Sequence, residues 1–223
     1  MEIIEKAKSE GRSTLSEHES KELLKAYGIP VAKEREVLDE DAFRAAIAEI
    51  KFPMVIKACA PHLSHKTERG LVKVDIRSEK EALEAYSHIK AETAKEGANV
   101  LVQEMVKGQR ELVAGLTRDP QFGPCVMFGL GGIFTEILKD VSFRVAPIEM
   151  RDALEMMKEI KGRKILDSVR GMPPADLEAL GKILITLGNI GLENDEIQEI
   201  DINPLILKGS EPVAVDALVV LVS

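Results

Sequence analysis

Tryptophan is absent from the 223-residue chain, and all aromatics together make up only 4% of it. The aromatic platforms on which single-stranded nucleic acid stacks are therefore missing. A positive balance is missing too. Thirty Lys and Arg stand against 38 Asp and Glu, a formal net charge of −8, which opposes binding to a nucleic acid backbone or an anionic membrane. No apolar run reaches membrane-spanning length, and the opening MEIIEKAKSEGR has no apolar centre of the kind a secretory leader needs. The expectation is a cytoplasmic protein with no membrane and no nucleic acid partner. Cysteine is scarce. Cys59 and Cys125 lie in apolar surroundings without metal-like spacing and read as buried free thiols of a reducing compartment. Internal repeats, low-complexity stretches and long linkers are absent as well.

What is present is a patterned chain with 45% hydrophobic residues, enough for a sizeable core. After a polar stretch over 1–14 that reads as a short helix or arm, Ser16 and Glu19 form a capping-box pattern that opens a helix through Leu23, Leu24 and Tyr27. Gly28 and Pro30 end it. A strand over Val31–Leu38 precedes a helix from Asp41, capped by Asp39. The apolar run Pro53–Ala58 contains Lys57. Next come a strand over Leu71–Ile76, a helix opened by Ser78 and Glu81, and a strand over Val100–Val106. Beyond Arg110 the pattern is β-rich, with strands predicted at Glu111–Thr117, Pro124–Phe128, Ile133–Leu138 and Phe143–Pro147. Two helices follow, through Leu154 and through Leu184, and then a hairpin of Ile197–Leu207 with Val213–Val222. This order predicts an α+β chain of two lobes, 15–106 and 107–223, with a cleft between them.

Several places carry possible chemistry. Gly129-Leu130-Gly131-Gly132 sits between two apolar runs, where glycines let backbone N–H groups approach an anion. Its spacing matches neither a dinucleotide fingerprint nor a P-loop, so a plain β-turn remains open. Lys57, read as ending an apolar strand, is either a snorkelling side chain at the strand end or a point charge aimed at phosphate. His62 and His65 stand three apart in a polar loop. No third ligand is near enough in sequence to make them a metal pair, whereas neutral imidazole on such a loop suits transient phosphorylation. By composition alone Glu104 and Glu111 are solvated carboxylates. Arg144 suits either a phosphate or a surface salt bridge to Asp140 or Glu136.

The last hairpin gives the best argument from pattern alone. Strand alternation puts Glu199, Asp201 and Asn203 on one face, with Ile200 and Ile202 on the other. A turn centred on Gly209-Ser210 places Asn203 opposite Asp216, Cβ atoms roughly 5 Å apart. An amide oxygen converging with a carboxylate suits Mg²⁺, which takes a few protein oxygens and completes its shell with water and phosphate. The alternative is a polar, half-exposed sheet face.

The stretch Arg118–Asp140, RDPQFGPCVMFGLGGIFTEILKD, closely resembles the ATP-grasp module of the ADP-forming acyl-CoA synthetases and of the related succinyl-CoA synthetase β subunits. The resemblance extends from about Leu15 to the end. Asp201-Ile-Asn203-Pro204 with Asp216 is similar to the (E/D)INP…D metal site of that family, and the loop around His65 is similar to its HKSDxGGV segment, with Glu68 and Leu71 as departures. The resemblance implies an ATP-grasp fold, two α+β lobes clasping ATP or ADP with Mg²⁺. It implies the nucleotide-binding β subunit of an acetate or acyl-CoA ligase, in which acyl-CoA, ADP and phosphate interconvert with acid, CoA and ATP. His65 would relay the phosphoryl group. Lys57, Gly131, Gly132 and Arg144 would meet phosphates, and Glu104, Met105 and Val106 the adenine. Glu111 would meet the ribose, and Asn203 and Asp216, with Asp201 close by, the metal. An α subunit carrying the CoA-binding and acyl-CoA domains, in an α₂β₂ assembly, is the implied partner. Two other readings stay open: a different ATP-grasp carboxylate ligase, and a nucleotide sensor without catalysis.

Overall fold

The computed structural model describes residues 2–61, 63, 66, 69–132, 140–169 and 171–222. The chain divides into two compact units. The smaller comprises Ser16–His18 and Ala32–Met105; the larger comprises Met1–Leu15, Glu19–Val31 and Val106–Ser223.

In the smaller unit, four antiparallel strands form a sheet: β1 (Glu34–Val37), β2 (Met54–Cys59), β3 (Val72–Ile76) and β4 (Asn99–Glu104), ordered β1-β4-β2-β3. Strand alternation sends Met54, Ile56 and Ala58 of β2, with Val100 and Val102 of β4, into one core. Helices α3 (Glu40–Ile50) and α4 (Glu79–Glu92) close that core with Phe43, Ala46, Ala82 and Ile89. The rings of Phe43 and Tyr86 lie 4.4 Å apart and join the two helices. Both helices start as the sequence directs: Asp39 Oδ1 accepts from the Ala42 N–H at 2.8 Å, and Ser78 Oγ from the Glu81 N–H at 3.3 Å. The same alternation turns Val55, Lys57 and Cys59 to the opposite face, alongside Glu34, Glu36, Asn99 and Gln103 by register.

In the larger unit the sheet runs β10-β8-β5-β6-β7, with β9 also paired to β8, all antiparallel. These strands are β5 (Glu111–Asp119), β6 (Gly123–Leu130), β7 (Val141–Val145), β8 (Ile197–Lys208), β9 (Glu211–Ala214) and β10 (Ala217–Leu221). Their inward residues, among them Leu112, Ala114, Val126, Phe128, Ile200, Ile202 and Val219, pack on α5 (Met150–Glu159) and α6 (Leu177–Glu193). Helices α1 (Glu2–Ser9) and α2 (Glu17–Ala26) add Ile4, Ala7, Leu23 and Leu24 to this same core. The segment Glu19–Val31, expected in the first lobe, thus packs with the C-terminal half. Apolar burial decides this, helped by the Ala214 N–H donating to the Pro30 carbonyl at 2.9 Å and the Val219 N–H to Ser20 Oγ at 3.1 Å.

The hairpin register matches the sequence reading. Lys208 faces Glu211 around Gly209-Ser210, Leu205 faces Ala214, and β10 carries the same register on, with Ala217 facing Ile202 and Leu218 facing Asp201. Gly209 takes φ +65° at the turn. The predicted strand Ile133–Leu138 lies outside the described residues. Among the described residues no helix is long and apolar enough to cross a membrane.

Candidate functional site

Lys57 lies in the middle of β2 rather than at its end, and its side chain is only 5% exposed. An ammonium at that depth requires a counter-charge. Glu17, the first residue of α2, provides it: Lys57 Nζ stands 2.7 Å from Glu17 Oε1. The other carboxylate oxygen of Glu17 accepts from Lys66 Nζ, so one buried carboxylate joins both lysines. Lys66 is also held through its backbone, because its carbonyl accepts from the Leu71 N–H at 2.8 Å, and the Leu71 carbonyl accepts from Ala58 of β2 at 3.0 Å. His65 itself lies outside the described residues, as do His62 and Glu68. Glu17 was missed by sequence reasoning. It sits in the polar run EHESK, and nothing local marks its carboxylate as buried.

The same sheet face carries further polar contacts. His18 Nδ1 is 2.9 Å from Glu34 Oε1, and Asn99 Nδ2 donates to Glu36 Oε1 at 3.1 Å. Cys59 is buried here, and its thiol is pushed up to about 12, by burial first and then by the charge of Glu36. Cys125 differs from expectation: it is only half-buried, on the face of β6 turned away from the helices.

At a strand edge, Glu104–Val106 would offer adenine unpaired N–H and C=O groups. Instead β4 is an interior strand. The Glu104 N–H donates to the Lys33 carbonyl at 2.8 Å, its carboxylate accepts from the Lys33 N–H at 2.9 Å, and the Met105 N–H donates to the Pro53 carbonyl at 3.3 Å. Those two N–H groups are used within the smaller unit. Val106 is a buried residue of the larger unit.

In the larger unit the glycine run ends β6. Gly131 donates its N–H to the Glu111 carbonyl at 2.9 Å. A Cβ there would come within 2.5 to 2.8 Å of the Leu112 backbone O, C and N, so the close approach of β5 by itself demands glycine. Gly132 has φ +61°, and the carboxylate of Glu111 lies where its Cβ would project. Glu111 and the two glycines are thus brought together. Arg144 is not part of that group. It stands on β7 three residues beyond Val141, the partner of Gly129. Its guanidinium is held by both carboxylate oxygens of Glu159 on α5, Nη1 at 3.0 Å from Oε2. That pairing raises the arginine and lowers the Glu159 carboxyl, while Glu136 lies outside the described residues. Asp140 instead caps the turn after α5, accepting from the N–H groups of Lys161 and Gly162, each at 2.7 Å.

The acidic strand face is assembled as the hairpin register requires. The Asn203 N–H donates to the Asp216 carbonyl at 3.2 Å, and the Val215 N–H to the Pro204 carbonyl at 3.1 Å. Asp201 lies between Gly115 of β5 and Leu218 of β10. Its carboxyl is pushed up to about 6, mainly by burial and then by the negative charges of Glu199 and Asp216. Like charges held around a half-buried carboxyl favour a cation among them. Among the described residues no three His, Cys, Asp or Glu side chains converge as a metal cage. Mg²⁺ does not require one, since water and phosphate oxygens complete its shell, so the donor set fits that ion. Lys21, fully buried on α2, donates to the Val215 carbonyl at 3.3 Å and so fixes the backbone next to Asp216.

A family model described as an ATP-grasp domain matches residues 6–221. The chain is 48% identical to the β subunit of ADP-forming acetate–CoA ligase I of Pyrococcus furiosus, covering 99% of this chain and 97% of that one. ADP-forming acetate–CoA ligase I of Archaeoglobus fulgidus is 41% identical over 99% of this chain, which spans 33% of that longer protein. A structure of the dinucleotide-forming acetyl-coenzyme A synthetase 1 of Ca. Korarchaeum cryptofilum, with coenzyme A, Ca-AMPCP and HgCl⁺, superposes with a TM-score of 0.94 at 46% identity, covering 99% of each chain. A second structure of that synthetase, with coenzyme A and Mg-AMPPCP, has its phosphohistidine segment pointing towards the nucleotide-binding site; it matches with a TM-score of 0.88 at 47% identity and the same 99% coverage of both chains.

Proposed function

We propose a function from one premise: the chain belongs to the ATP-grasp domain family, on the branch of the ADP-forming acyl-CoA ligase β subunits. It is the nucleotide-binding β subunit of an acid–thiol ligase in which acyl-CoA, ADP and phosphate interconvert with acid, CoA and ATP. The observation that carries this reading is the whole-length likeness to the P. furiosus β subunit. The buried lysine cluster and the acidic strand face support it, since a polyphosphate requires cations and its metal requires oxygen ligands.

In this reading a phosphoryl group passes between a histidine and ADP. His65 is the relay: its imidazole nitrogen takes the phosphoryl group from a phosphohistidine of the partner, whose P–N bond breaks as the new one forms. Attack by a terminal phosphate oxygen of ADP then breaks the bond to His65. Lys57 offsets phosphate charge, and Gly131 and Gly132 let the backbone come close to the phosphates. Glu111 serves the ribose, and the carbonyls of Glu104 and Met105, with Val106, serve the adenine. Asn203 and Asp216 hold Mg²⁺, with Asp201 close by; when bound, the ion neutralises charge on the phosphates. Arg144 joins them only by exchanging Glu159 for phosphate. The partner is an α subunit supplying the CoA-binding and acyl-CoA domains, a role consistent with the longer Archaeoglobus relative, in an α₂β₂ assembly in the cytoplasm.

The test is phosphopeptide mass spectrometry under non-acidic conditions after incubation with Mg-ATP, with and without the α partner and CoA, for wild type and His65→Ala. Phosphate on His65 that disappears in the variant is expected. Nucleotide binding with no label under any of these conditions would replace the ligase reading with a nucleotide sensor.

A further inference from the structure

Glu17 has no place in the relay just described, yet it is the best-buried carboxylate near the residues that do. Its side chain is 3% exposed, against 5% for Lys57 and 18% for Lys66. One oxygen is given to each lysine. A lysine carries four rotatable bonds, so an ammonium meant to meet phosphate requires something to fix its direction. Burial also works against its charge. Glu17 answers both needs for Lys57. Through Lys66 it does a second thing. Lys66 follows His65 directly in the chain, and its backbone is already tied through Leu71 to Ala58, next to Lys57 on β2. A single carboxylate therefore ties the phosphate-directed lysine to the residue beside the relay histidine. Packing alone does not require it, because an apolar side chain would fill that space without a cost in desolvation.

We infer that Glu17 is a positioning residue for nucleotide phosphate, aiming Lys57 and holding Lys66. This rests on the reading that Lys57 meets phosphate. It acts through the lysines and touches no reacting atom.

The experiment is a double-mutant cycle on the full chain, read as ADP affinity by titration calorimetry in Mg²⁺, with thermal melts of every variant. Lys57→Met is expected to weaken ADP at least tenfold, and Glu17→Gln to weaken it by a similar factor. The double variant should be no weaker than Lys57→Met alone, and Glu17→Asp should recover part of the loss. A merely structural Glu17 would lower melting temperature while leaving affinity within twofold, or would add its loss to that of Lys57→Met; either result overturns the inference. Tighter ADP binding by Glu17→Gln would make Glu17 a competitor of phosphate and overturn it as well. Should Glu17→Gln fail to fold, Glu17→Asp carries the same cycle. Unchanged affinity in Lys57→Met would remove the underlying phosphate role of Lys57 and the inference with it, an outcome distinct from a failure at Glu17 alone.

Discussion

The two units each hold a concentration of charge on the sheet face turned away from their helices, and they treat it in opposite ways. In the smaller unit unlike charges meet: Glu17 lies between Lys57 and Lys66, all three largely buried. In the larger unit like charges meet: Asp201 is pushed up to about 6 by burial and by Glu199 and Asp216. The first cluster is satisfied by the protein itself, and removing one member leaves buried charge without its counter-charge. In the second, burial and the charges of Glu199 and Asp216 hold the Asp201 carboxyl towards its protonated form. Burying a charge beside its opposite builds structure; burying a carboxyl beside like charges favours the proton or a cation.

The comparison breaks most visibly in stability measurements. Glu17→Gln is expected to lower unfolding free energy by about 3 kcal/mol, as for other buried pairs that lose one partner, measured by urea unfolding at pH 7. An unchanged midpoint would mean that the smaller unit's cluster contributes nothing as a pair.

Asp201→Asn should move stability the other way. The folded carboxyl titrates at about 6 against 3.8 in the unfolded chain. The folded state thus holds this proton more tightly, and the stability linked to it is present below about pH 4 and lost as pH rises through about 6. The amide removes that loss. The variant is expected to gain on the order of 2 kcal/mol at pH 8 and nothing at pH 4. Equal gains at both pH values would point to packing rather than charge.

Mg²⁺ gives a smaller handle. At ten times its dissociation constant it should add about 1.4 kcal/mol, a rise of about 3–5 °C in melting temperature for a chain of this size. The rise should vanish in Asp216→Asn and persist in Glu17→Gln. If both variants lose it, the two clusters do not act separately. The smallest expected effect is chemical. At pH 8 iodoacetamide should label half-buried Cys125 faster than buried Cys59, whose thiol is held near 12. Equal labelling would show that the polar face of the smaller sheet opens to solvent.

Much of this was readable from the chain. The caps at Asp39 and Ser78, the turn at Gly209-Ser210 and the meeting of Asn203 with Asp216 follow from local rules, because a cap or a two-residue hairpin is decided within a few residues. Lys57 was legible as an anomaly, a lysine inside an apolar run. Less was readable where the deciding contact is remote. Glu17 meets a lysine 40 residues away, and Tyr27 meets a glutamate 166 residues away. No window of sequence contains such pairs. For Arg144 the open readings were a phosphate or a salt bridge to Asp140 or Glu136, and the Glu159 it meets is reached only because α5 packs back against β7. Gly131 read either as backbone open to a ligand or as a plain β-turn, and the close passage of Leu112 is a reason for glycine that no local pattern shows.

By itself, then, the sequence determined most of the described elements, the alternation of faces, the hairpin register and, through the length of its resemblance, the family. Those depend on short-range sterics and periodicity, which any stretch carries within itself. Tertiary structure alone decided that α2 packs with the C-terminal half and that β4 is interior, with its N–H groups used. It also decided that Glu17 meets two lysines and that Glu199 and Asp216 act on Asp201. Coulomb energy and desolvation depend on distance and burial in space, and neither quantity exists until the chain has folded.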